Sequence, residues 1–364
     1  MGGQDSSISR RKAISTLAVT ALGSAGCIRI KSSSPEPWEP DPGRLQWRYQ
    51  ADGRVSASPT LYDGSLYVGS HDGYLRSLDP DSGELNWEFE AGGGIWTDSP
   101  IYRNNLYFGS RDDKLYSVDL SGSERWRFET EDNVFSTPAF SGETVYFGSN
   151  ENRMYALGTE SGGEKWRYPT AGSVVSRPAV AGDLIYFGTR GNSFYALDTG
   201  SQRRRLWSLQ TEGDVSVNVA VRGDSVFFGA DDDSFYAVNR YDGDLLWSHG
   251  VETRLNSSPT VTDGTVFFGN MFGKFYALNS DNGTVQWTSD VVNGTINSDP
   301  TVADGVVYVG DGYGYLHAFD ADTGEHYWKY ETGNAVHSTP VVTDDTIYFG
   351  SNDGHVYAIE RGSN

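Results

Sequence analysis

The stretch SDPTVADGVVYVGDGYGYLHAFDADTGEHYW, Ser298 to Trp328, reads as four short strands and the turns between them. A first strand runs through Ser298-Asp299-Pro300-Thr301-Val302. Asp304-Gly305 follows, a pair that closes two-residue hairpins because both positions tolerate positive φ. Val306 to Gly310 is the second strand and Tyr315 to Asp320 the third, across a glycine-bearing turn. Asp322-Thr323-Gly324-Glu325 then leads into a fourth strand carrying Trp328.

The same unit recurs along the chain. Tryptophans stand at 47, 87, 126, 166, 207, 247, 287 and 328, a period of 39 to 41 residues. Glycines keep the beat at 69, 109, 148, 188, 229, 269, 310 and 350. Prolines keep it at 59, 100, 138, 178, 259, 300 and 340, with Val219 in the remaining place. Four strands per period of about 40 make the blade of a β-propeller. The chain ends at Ala358-Ile359-Glu360, one strand short of a last blade, and Leu45-Gln46-Trp47-Arg48 supplies an unpaired fourth strand at the other end. The expected fold is therefore all-β: an eight-bladed propeller of four-stranded blades, closed by an N-terminal strand. No Trp-Asp dipeptide occurs and Gly-Gly pairs hold no fixed phase, which sets aside the WD40 and kelch forms.

The segments Ala318 to Trp328 and Ala277 to Trp287 resemble the tryptophan-docking motif of PQQ-type propeller repeats, and the resemblance covers residues 44–364. It loosens at Ser117 to Trp126, one residue short, at Ala196 to Trp207, one residue long, and at Ser77, where alanine is usual. The resemblance implies two kinds of protein. One is a quinoprotein dehydrogenase using PQQ with Ca²⁺; the other is a non-catalytic propeller, such as the lipoprotein scaffold of the bacterial outer-membrane barrel assembly machinery. The dehydrogenases typically carry a vicinal disulfide, whereas Cys27 is the single cysteine of this chain and lies outside the repeats. The expected function is a binding scaffold for a protein or envelope ligand, with no cofactor; the alternative is a PQQ-dependent dehydrogenase.

Charge narrows the partners. The 364 residues carry 49 acids and 28 bases, a net −21, so counterion release from nucleic acid has nothing to work with. Only six of the bases are lysines. An acidic, lysine-poor surface suits a halophilic source, because self-repulsion is screened when the Debye length falls to about 3 Å at 1 M salt. A mean hydropathy of −0.50 and three methionines do not suit a helical bundle or a membrane-spanning protein.

Residues 1–26 read as an address. Ser9-Arg10-Arg11-Lys12 precedes the apolar run Ala13 to Ala21, too short to span a bilayer, and the pair resembles a twin-arginine export signal. Gly23-Ser24-Ala25-Gly26-Cys27 is similar to a lipobox, with Cys27 as the lipidation site; the alternative is ordinary signal cleavage with an incidental cysteine. Residues 27–43, with Ser32-Ser33-Ser34 and Pro35, Pro37, Pro40 and Pro42, form a Ser/Pro-rich tether. The propeller occupies 44–364. The expected form is a monomer held by a lipid anchor on the outer face of the cytoplasmic membrane.

No residue set for bond-making chemistry stands out. The six histidines include no pair at two- or four-residue spacing, and Asp231-Asp232-Asp233 reads as a solvated hairpin turn. A propeller binds at its channel mouth, which the residues just before each first strand should line. Those positions vary: Trp96 and Asp98, Phe135, Arg177, Asn218, Asn256, Asn297 and Asp299, and His337. They are the candidate ligand or partner contacts; catalytic and metal-ligating residues are expected to be absent.

Overall fold

The second and third strands of each repeat are almost wholly apolar, as in Leu66-Tyr67-Val68 and Leu106-Tyr107-Phe108, because both faces of these strands are buried. The outer strand instead alternates, with Trp126 buried between exposed neighbours in Glu124–Glu129. The structure, a computed structural model, describes residues 44–200, 205–290 and 294–362. The expected export signal, the expected tether and Cys27 lie outside the described residues.

The described strands form eight antiparallel sheets of four, a closed eight-bladed propeller. Seven sheets run in sequence order from the inner strand to the outer. In the eighth, Leu45–Gln50 pairs antiparallel with His355–Glu360, so the N-terminal strand completes the last blade as expected. Aromatic side chains join neighbouring blades: Phe194 stacks on Phe228 at 4.1 Å, and Phe235 on Phe268 at 4.3 Å.

Six of the repeat tryptophans, Trp47, Trp87, Trp126, Trp207, Trp247 and Trp287, dock on the blade that follows. The indole N–H of Trp87 donates to the Leu120 carbonyl at 3.0 Å, and that of Trp126 to the Thr159 carbonyl at 2.9 Å. The ring lies on a turn glycine, Gly122 or Gly162, whose φ is positive and whose place a Cβ would bring within 2.9 Å of the indole. That contact, together with the burial of roughly 150–250 Å² by each tryptophan, makes the repeated Trp and Gly structural.

Two details differ from the sequence reading. The first strand is short: in the seventh blade only Thr301–Ala303 joins the ladder, and Ser298 to Pro300 run beside the channel. Pro100 is out of phase. Tyr62 pairs with Ser65 and Tyr102 with Asn105, so Ser99 stands where Pro59 stands and Pro100 is one place on. The same blade closes its hairpin with Arg103-Asn104, at φ of 50° and 60°, instead of Asp-Gly.

Candidate functional site

Five residues precede each inner strand, Val55-Ser56-Ala57-Ser58-Pro59 in the first blade, and their side chains alternate in direction as extended backbone requires. The first and third are buried: Val55, Ile95, Val134, Val174, Val215, Leu255, Ile296 and Val336 are at most 1% exposed. Ile95 presses on Gly69 so closely that a Cβ there would lie 2.4 Å from its side chain, which accounts for the glycine at or next to the end of each second strand. The second and fourth residues face the channel and form two rings.

The deeper ring, the fourth position, is a girdle of hydrogen bonds. The backbone N–H of Ser58 donates to Asp98 Oδ1 (2.8 Å), that of Asp98 to Thr137 Oγ1 (3.1 Å), and that of Arg177 to Asn218 Oδ1 (2.7 Å). Those of Asn218, Ser258 and Thr339 donate to Ser258 Oγ (3.0 Å), Asp299 Oδ1 (2.8 Å) and Ser58 Oγ (3.0 Å). Six of the eight fourth-position residues are thus tied by their N–H to the side chain of the next blade, and the position calls for a short acceptor. Asp98, Asn218 and Asp299 meet that requirement. Asn218 Nδ2 also donates to Asp299 Oδ2 at 3.0 Å. Burial raises the Asp299 carboxyl above the usual range, and the Asp98 charge adds to the effect.

The outer ring is chemically divided. Its aromatic arc holds Trp96, 42% exposed, stacked on His71 at 4.4 Å and 12° and tilted against Phe135 at 5.1 Å. Its polar arc is a chain of side chains: Asn256 Nδ2 donates to Asn297 Oδ1 (2.9 Å), and Asn297 Nδ2 contacts His337 Nε2 (2.8 Å). The chain continues through Asn352, 3.4 Å from His337 Nδ1, to Ser56, whose hydroxyl donates to Asn352 Oδ1 (3.0 Å) and lies 2.8 Å from His71 Nε2. Burial lowers the His337 pKa, with Arg54 assisting. Burial also lowers that of His71, to about 4, with Arg54 and Arg111 assisting.

Eight of the nine candidate contacts, Trp96, Asp98, Phe135, Asn218, Asn256, Asn297, Asp299 and His337, line one cavity of about 270 Å³ at this mouth. Arg177 does not. It lines a second cavity further along the channel, which shares Ser58, Asp98, Asn218, Asp299 and Thr339 with the first. The sequence reading also missed a set of rim residues. His71, Arg111, Arg190 and Asn352 come from the loops joining second and third strands, each two residues after a periodic glycine, a spacing visible in the sequence. In the same position Asp231 is half-buried, which raises its pKa, and Asp232 accepts from the Glu212 N–H and the Tyr236 hydroxyl. The Asp231 to Asp233 turn is therefore a partly buried, bonded turn.

The carboxylates of the mouth, Asp98 and Asp299, each accept a neighbouring backbone N–H, and no three His, Cys, Asp or Glu side chains among the described residues are placed to hold a metal.

The sequence signature of the family described as outer membrane protein assembly factor BamB matches residues 37–134, 111–230, 201–297 and 272–363. No curated protein matches the chain. Among solved structures, the computationally designed protein Ika8 superposes with a TM-score of 0.78 at 17% identity, covering 87% of this chain and 100% of its own. BamB from Moraxella catarrhalis gives 0.74 at 19% identity, over 87% and 99% of the two chains. The quinohemoprotein alcohol dehydrogenase of Comamonas testosteroni gives 0.73 at 15% identity, over 88% of this chain and 76% of the enzyme. At such identities the likeness is one of fold.

Proposed function

We propose, for a chain that belongs to the family described as outer membrane protein assembly factor BamB, that the propeller is a non-catalytic binding platform whose contact surface is the channel mouth. One observation carries this reading. The eight blades repeat the same small and apolar residues wherever these segments are buried, and diverge where they face the mouth: Ser56, Trp96, Phe135, Val175, Ser216, Asn256, Asn297 and His337. A ring that served only to close the fold would repeat there too. Aromatic side chains at the centre of a concave surface are the residues that dominate interface energies.

The sequence supplies the setting. The twin-arginine segment and Cys27 direct export and lipidation, so that the platform stands on the outer face of the cytoplasmic membrane and meets a protein or envelope component there, in a halophilic cell. The family link to envelope assembly supports that placement.

The test is a photo-crosslinking side chain placed at Trp96 in intact cells, with the same group at exposed Leu245 on an outer strand as control. A defined adduct from position 96 only is expected, and equal labelling from both positions moves the surface elsewhere. The fold likeness to quinohemoprotein dehydrogenases motivates one competing reading, a PQQ-dependent dehydrogenase. Incubation with PQQ and Ca²⁺ should give neither bound-quinone absorbance nor dye-linked alcohol oxidation; turnover would overturn the platform reading.

A further inference from the structure

The girdle restricts what the mouth can recognise. Because the N–H groups of Ser58, Asp98, Asn218 and Ser258 already donate to the neighbouring blade, the segments leading into these inner strands offer no free N–H at those positions to an added strand. Recognition falls to side chains, and those of the polar arc are neutral and bifunctional. Asn256, Asn297 and Asn352 each retain donor or acceptor capacity beyond the bonds that brace them, as hydroxyl groups of a ligand require. Trp96, backed by His71 and Phe135, adds an aromatic surface opposite them. A cavity of about 270 Å³ falls just below the roughly 300 to 1,000 Å³ of drug-sized pockets, and suits one ring of a hydroxylated ligand.

Charge supplies the remaining term. In a chain of net charge −21, the rim carboxylates are turned to internal partners: Asp72 to Arg76 (3.0 Å), Asp112 to the Tyr116 hydroxyl (2.5 Å) and Asp353 to the Tyr357 hydroxyl (2.6 Å). The rim guanidinium groups are left without them. Arg54 and Arg111 are exposed and make no ion pair with any described residue, and Arg111 lies over Trp96 at 4.9 Å. Arg190 lines the cavity itself, and its charge reaches the half-buried Asp231.

We propose that the mouth binds an acidic saccharide, a uronate ring whose hydroxyls meet the asparagine arc and whose carboxylate meets the rim arginines. The inference rests on the platform reading and names its ligand class. The source is either a free uronic acid or a residue of an envelope polysaccharide.

Titration calorimetry of the full chain at fixed ionic strength tests it, with D-glucuronate, a uronate oligosaccharide, D-glucose, acetate and a glutamate-rich peptide as probes. Glucuronate should bind at least about tenfold more tightly than glucose, a difference of about 1.4 kcal/mol. Arg54→Gln, Arg111→Gln and Arg190→Gln together should bring glucuronate to the level of glucose, and Asn297→Ala should weaken both sugars. A higher affinity for the oligosaccharide identifies a polysaccharide source; equal affinities identify the free sugar. Equal binding of glucose and glucuronate, acetate binding as tightly as glucuronate, preference for the peptide, or no binding at all would overturn the proposal. Persistence of the crosslink from position 96 in any of those cases would leave the platform reading standing.

Discussion

Trp47 donates its indole N–H to the carbonyl of Pro80 across 2.8 Å, and the two residues belong to opposite sides of the ring closure. Trp47 lies in Leu45–Gln50, the outer strand of the last blade, whereas Pro80 lies in the first blade. One segment therefore closes the ring twice, by its ladder to His355–Glu360 and by its tryptophan over Gly83.

Deleting residues 44–50 should lower the melting temperature strongly, because it exposes His355–Glu360 as an edge and empties the place of Trp47 on the first blade. Trp47→Ala alone should cost about 3–5 kcal/mol, the usual range for a buried tryptophan. Thermal unfolding at constant salt checks both, and an unchanged transition after the deletion would rule out this closure.

The girdle makes a sharper distinction at Asp98. If its role is to accept the Ser58 N–H, Asp98→Asn should leave stability nearly unchanged, while Asp98→Ala should cost about 1 kcal/mol by leaving a partly buried donor unpaired. Denaturant midpoints of the two variants decide. Equal losses would mean that the charge, and not the acceptor, is what the position needs.

The fold was legible because its fixed contacts are between residues a sequence displays: tryptophan on turn glycine, and Ile95 or Val134 on the glycine ending the second strand. The inner strand was overextended because Ser298 to Pro300 look like ladder residues, while Ser258 and Asp299 exchange a bond across blades instead. No local pattern reveals that partner. Pro100 fell into the proline series although its neighbouring spacings are 41 and 38 residues, the trace of a one-residue shift. At the mouth, position before the proline located the ring but not its two levels. Asp98, Asn218 and Asp299 therefore stood beside Trp96 and His337 as equals, although their acceptor groups bind backbone.

The anchoring proposal is open to direct test. Changing Arg10 and Arg11 to lysine should retain the chain inside the cell, because a twin-arginine signal is read as a pair. Cys27→Ser should release exported protein to the medium. Fractionation with detection of the chain checks both, and a membrane-bound Cys27→Ser variant would reject the lipobox reading.

Acid should loosen the ring through its buried imidazoles. In the seventh blade His317 lies 3.1 Å from Asp311 Oδ2 and 3.2 Å from His326 Nε2. Burial, with His317 as neighbour, holds the His326 pKa down to about 4, and burial with Arg54 and Arg111 does the same for His71. Both titrate near 6.5 in the unfolded chain, so between these values the unfolded state binds more protons. Stability is then full above about pH 6.5 and is lost as the pH falls toward about 4. Asp299, raised by burial, acts in the opposite sense, since the folded state takes up its proton first. Urea midpoints across this range should fall with pH, and His326→Gln should flatten the slope while retaining a hydrogen-bonding group beside His317. A slope unchanged by that substitution would assign the proton uptake to other groups.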